Sequence, residues 1–87
     1  MGRFRVLIKA SAAKELEGAG TQRDRRRLVE AIGALADEPR PHGCEKLSGS
    51  RDRYRIRVGD WRVVYAIEDD VLTVWIVKVG HRREVYR

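Results

Sequence analysis

Charged and apolar residues interleave at the start of the chain, where Phe4, Val6 and Ile8 stand among Arg3, Arg5, Leu7 and Lys9. That period of two predicts a strand over residues 3–9. Ser11 then offers an N-cap for a short helix through Ala12, Ala13, Lys14, Glu15 and Leu16, which Gly18 and Gly20 end. Thr21 and Asp24 have the spacing of a capping box, with Asp in place of Glu or Gln. The helix they open is expected to run to about Asp37. Leu28, Ala31, Ile32 and Leu35 give it one apolar stripe. Pro39 and Pro41 forbid its continuation. Residues 39–52 read as a polar connection, with Leu47 as its anchor into the core.

In the last third the period returns to two. Residues 53–58 read Arg-Tyr-Arg-Ile-Arg-Val, and Gly59-Asp60 is a glycine-first two-residue hairpin signal. Residues 61–67 form the returning strand, and Glu68, Asp69 and Asp70 the next turn. Residues 71–79 are almost wholly apolar, as expected of a strand covered on both faces. The chain then ends Gly-His-Arg-Arg-Glu-Val-Tyr-Arg. The order predicts an α+β domain over residues 1–87: an N-terminal strand, two helices, then a three-strand antiparallel meander, with both helices on one face of a twisted sheet.

Composition narrows the function classes. A chain of 87 residues is too short for a two-domain enzyme. Its one cysteine, Cys44, allows no internal disulfide. No apolar run reaches the ~20 residues of a membrane span, and no signal peptide is apparent, so a cytoplasmic protein without a membrane partner is expected. The net charge of +6 implies an acidic partner. Of the basic residues 15 are Arg and 4 are Lys. Arginine's planar fork of donors suits phosphate and carboxylate better than the point charge of lysine. The charge is not a basic tail, because residues 1–50 and 51–87 each carry +3.

Arrangement matters more than amount. If Gly59-Asp60 is the hairpin loop, Val58 lies opposite Trp61 and Arg57 opposite Arg62. Arg53, Arg55, Arg57 and Arg62 then share one face, while Tyr54, Ile56, Val58, Trp61, Val63 and Tyr65 share the other. Like charges directly opposite each other destabilise a sheet. Two readings remain open: a preorganised anion site, or a solvated face that keeps the sheet soluble and its edge unpaired. His81, Arg82, Arg83 and Tyr86 form a second basic and aromatic cluster. Glu45 is either a surface carboxylate or a general base. Cys44 has no companions at zinc spacing, and neither metal nor other cofactor is expected.

Three stretches together resemble the RelE/ParE superfamily of bacterial and archaeal toxins. They are Lys46-Leu47-Ser48-Gly49, the run from Tyr54 to Tyr65, and the run from Val79 to Arg87. The resemblance covers nearly the whole chain and implies the RelE-like fold. For RelE-type members it implies a small basic ribonuclease that enters the ribosomal A site and cuts mRNA. It also implies a cognate acidic antitoxin and a toxin–antitoxin hetero-oligomer. Arg55 and Arg57 fall where the family has basic residues, often lysines, before the hairpin turn. Arg62 matches the arginine after that turn, Arg82 the arginine after the last strand's glycine, and Tyr86 the terminal tyrosine. Glu45 sits where one subgroup has a catalytic glutamate, and His81 echoes a histidine used in others. Arg53, Arg83 and Arg87 are expected to contact RNA.

The implied chemistry is metal-independent: deprotonation of a 2′-hydroxyl, stabilisation of an in-line phosphorane and protonation of the 5′-oxygen. The products would be a 2′,3′-cyclic phosphate and a 5′-hydroxyl. Arginines at the family's lysine positions depart from the pattern, and no role needing a neutral amine fits Arg55 or Arg57. Two alternatives belong to other classes: a ParE-like inhibitor of DNA gyrase with no catalytic site of its own, and an inactive RNA-binding relative.

Overall fold

The structure is a computed structural model and describes residues 3–49 and 51–82. The first strand, β1, is Arg5–Ile8. It runs directly into helix α1, Ala10–Glu17, with Lys9 as the N-cap. Ser11 therefore lies inside the first turn and does not cap it. The reason is that the Lys9 N–H still donates to the Ile76 carbonyl, so the sheet dictates where the helix begins. Helix α2, Gln22–Ala34, opens on the capping box: Thr21 and Asp24 each accept the other's backbone N–H. It stops short of Asp37. Leu35, Ala36 and Asp37 instead donate to the carbonyls three residues back, which tightens the last turn.

Strand β2, Glu45–Lys46, comes next, followed by β3, Arg53–Val58. Then come β4, Trp61–Glu68, and β5, Thr73–His81. One sheet holds all five in the order β1-β5-β4-β3-β2. The meander β3-β4-β5 is antiparallel, and β1 lies parallel to β5. Between β4 and β5 a bulge falls at Val64/Tyr65 and leaves Val77 unpaired in the β4 register. The predicted acidic turn is a short 3₁₀ segment, Asp69–Val71, closed by Leu72 in the left-handed region at φ 47°.

Both helices pack on one sheet face. Ala12 of α1, with Leu28 and Ile32 of α2, meets Ile56, Val63, Tyr65, Ile67, Val74, Ile76 and Val79. Leu7, Trp75 and Val77 lie outside this core and are half-buried. No residue of β5 is exposed, as expected of a strand covered on both faces, although the helix core lies on only one of them. Leu47 does not reach the core either. Pro39 is the buried anchor of the connection, and its carbonyl accepts the Tyr65 hydroxyl at 2.8 Å. Burial above all, then the neighbouring Cys44 thiol, pushes the Tyr65 hydroxyl above its usual range, so it stays a donor. Tyr65→Phe orphans that carbonyl and is expected to cost about 1–2 kcal/mol, read as a lower urea midpoint with an unchanged m-value.

Candidate functional site

The glycine-first turn determines the register of the arginines. Gly59 sits at φ 63°, where a side chain would be strained. The turn pairs Val58 with Trp61 and Arg57 with Arg62. Ile56, Val63 and Tyr65 point into the core, so Arg53, Arg55, Arg57 and Arg62 share the face away from α1 and α2. The directly opposed pair costs roughly 0.2–1 kcal/mol relative to a neutral pair. Arg62 also faces Gly80 across β5, which places no side chain there.

The four cations are not equivalent. Arg53 and Arg57 are exposed. Arg62 is only 4% exposed and is the one buried charged side chain among the described residues. Its Nη1 donates to the Trp61 carbonyl at 3.2 Å. Burying a cation costs free energy unless polar partners meet it, so a buried arginine marks a position selected for more than packing. Arg55 donates from Nη2 to Glu45 Oε1 at 3.2 Å. Glu45 lies directly opposite it on β2, with its side chain 63% exposed. The structure therefore brings Glu45 onto the arginine face. Arg82 follows β5, and its N–H donates to the Asp60 carbonyl, tying the strand end to the hairpin turn.

Other contacts hold this arrangement in place. Arg40 forms a two-point pair with Asp69, at 3.2 and 2.8 Å, and its guanidinium lies 5.1 Å from the centre of the Tyr54 ring. Hydrogen bonds from Arg40 hold the Asp69 carboxyl below its usual range. This clamp fixes the segment that delivers Glu45. On the other side, Glu15 of α1 accepts the Val79 N–H at 3.0 Å and the Lys78 ammonium at 2.8 Å. Val79 lies beyond the reach of β1, so the carboxylate replaces a missing strand at that edge. Glu15→Ala is expected to cost about 1–2 kcal/mol, chiefly from the orphaned N–H, with Glu15→Gln keeping most of it in thermal melts.

His81 takes a different place from the arginines. It pairs with Trp61 and sets its ring edge-on to the indole, 5.5 Å between centres. Trp61 packs against the helix-side core, so His81 belongs to that side. Arg83, Tyr86 and Arg87 lie outside the described residues. Among those described, no group of three His, Cys, Asp or Glu converges as metal ligands. A cleft of about 520 Å³ opens round the edge of β3, between α2 and residues 41–43, with Glu45 and Arg57 among its lining. Sequence reasoning missed Glu15 as a strut. It also missed Trp75, which stands on the arginine face; the period of two in the strand was the available signal, hidden by the apolar run.

Together these features define a small α+β protein that sets opposed arginines on the sheet face away from α1 and α2. Residues 6–86 match the family model described as the ParE toxin of type II toxin–antitoxin systems. Toxin RelE of Mycobacterium tuberculosis is 30% identical over 84 residues, 97% of this chain and 87% of that protein. Toxin RelG of the same organism is 35% identical over 57 residues, 66% of each. Among solved structures, the toxin–antitoxin complex of archaeal RelE and RelB from Pyrococcus horikoshii aligns with TM-score 0.81 and 32% identity, covering 92% of this chain and 96% of that one. A mutant of E. coli toxin RelE in the free state aligns with TM-score 0.77 and 29% identity, covering 99% and 92%. The chain belongs to the RelE/ParE superfamily and is a type II toxin–antitoxin toxin.

Proposed function

We propose that this toxin is a metal-independent endoribonuclease that cuts mRNA on the ribosome, in the cytoplasm, and is neutralised by a cognate acidic antitoxin. The observation that carries the reading is the opposed pair Arg57 and Arg62, with Arg55 one alternation away on the same face. Charge on the scissile phosphate grows as the 2′-oxygen attacks, and two guanidiniums preset at that point stabilise the growth. Arg55 adds positive potential and holds Glu45 at the rim of the row. Glu45 and Tyr86 are the candidates to accept the 2′-hydroxyl proton. Arg82 stands near the turn to stabilise the leaving 5′-oxygen, and Arg53, Arg83 and Arg87 extend the contact to flanking phosphates. His81 is assigned to packing on Trp61.

Solved complexes of RelE with RelB support an antitoxin partner. The net charge of +6 favours an acidic segment laid over the arginine face, in a toxin–antitoxin hetero-oligomer. Inducible expression without the neighbouring gene tests the reading. Growth arrest with new mRNA 5′ ends inside coding regions is expected, and harmless expression would contradict it.

The description of the matching family model favours a second reading, a ParE-like inhibitor of DNA gyrase. That reading predicts gyrase-linked DNA breaks with intact mRNA in the same experiment.

A further inference from the structure

The sheet face away from α1 and α2 continues beyond the arginine row. Trp75 pairs with Ala66 of β4, and Ala66 pairs with Arg53 of β3, so the three lie in one row across the sheet. Trp75 also pairs with Leu7 of β1. A depression of about 220 Å³ lies here, lined by Lys9, Arg53, Ala66, Trp75 and Val77. Trp75 is partly buried, while Lys9 and Arg53 are exposed. Ala66 is small, so the indole stands as a wall beside an open floor.

Trp75 lies outside the helix-side core and lines this depression, so part of a large amphipathic ring is open to a partner there. Two features say what the contact is. First, the patch is short and is interrupted by Lys9 and Arg53. A docked amphipathic helix would need a longer uninterrupted apolar stripe. A single-stranded nucleotide offers what the patch does match: a flat π-surface for the indole and a phosphate on each side for the two cations. Second, the patch continues the arginine row. Arg62 and Ala66 lie on one face of β4, four residues or about 13 Å apart. At the stacked spacing of 3.4 Å that is no more than about four nucleotides.

We infer that Trp75, flanked by Lys9 and Arg53, is a base-stacking subsite for single-stranded RNA a few nucleotides from the phosphate held by Arg57 and Arg62. The subsite rests on the proposed RNA reading but does not require cleavage. Stacking on an aromatic tolerates any base, so the subsite holds and orients the strand without selecting sequence.

The test uses the full chain with two fluorescent oligoribonucleotides, one of about 12 nucleotides that spans both sites and one of about 2 that is too short to reach Trp75 from the arginine site. Trp75→Ala is expected to weaken the longer RNA by about ten-fold or more and leave the shorter one unchanged, with Trp75→Phe recovering most of the loss. Lys9→Ala leaves the indole untouched and should weaken the longer RNA alone, with a shallower salt dependence. If Trp75→Ala fails to fold in a thermal melt, the Phe and Lys9 variants carry the test. Equal binding of both RNAs by wild type and all variants overturns the subsite, as does wild-type protein that binds neither RNA. Unchanged RNA binding with weakened binding of an acidic antitoxin peptide also overturns it and reassigns the face to protein. Trp75-dependent binding by a chain that cuts no mRNA on ribosomes would keep the subsite and defeat the nuclease reading. Cleavage unaffected by Trp75→Ala in both KM and kcat would do the reverse.

Discussion

Arg62→Ala is expected to lower the rate of mRNA cleavage by about 10²–10³-fold, the loss seen when one preorganised donor to a developing oxyanion is removed. Arg62 faces Arg57 on β3 and Gly80 on β5, so the variant leaves one arginine where two stand opposed. The fold should survive, because the side chain belongs to no part of the apolar core. Arg62→Lys should recover only part of the rate, since an ammonium cannot grip two phosphate oxygens in a planar fork. Cleavage of ribosome-bound mRNA checks both, and a thermal melt separates lost chemistry from lost structure.

Leu28→Ala is expected to cost about 2–5 kcal/mol, a large part of the roughly 5–15 kcal/mol that holds a domain together. Leu28 is fully buried, and it shares with Ile32 the task of seating α2 on the sheet. A chain this small has few other contacts to absorb the cavity. Thermal unfolding should shift downward by roughly 4–8 °C per kcal/mol. Activity should fall with the folded fraction and return on cooling, unlike that of Arg62→Ala. The two variants thereby separate the sheet's two faces, one for stability and one for chemistry.

Those faces were legible in the sequence because the information is local. Gly59-Asp60 set the turn, the turn set the opposition of Arg57 and Arg62, and alternation did the rest. The Thr21–Asp24 capping box was equally local and forms as read. Features decided by distant partners were not legible. Lys9 caps α1 because β5 holds its N–H, so Ser11 was the wrong residue to choose from local propensity. Strand β2 has two residues and no alternation; its pairing exists only because β3 passes beside it. An apolar run such as Thr73–Val79 reads the same whether one face or both are covered, which concealed Trp75 on the arginine side. The burial of Arg62 was likewise invisible, since nothing in a sequence distinguishes a buried arginine from its exposed neighbours. The placement of Glu45 opposite Arg55 needed β2 before it had meaning.

In the proposed function the opposed arginines Arg57 and Arg62 drive RNA cleavage. Purified toxin, added to ribosomes programmed with a defined mRNA, tests it most directly through the ends it leaves. The account predicts cleavage within the A-site codon, giving a 2′,3′-cyclic phosphate and a 5′-hydroxyl, strongly reduced for Arg57→Ala and Arg62→Ala. Intact mRNA with the wild-type toxin, or cleavage indifferent to both arginines, would contradict it.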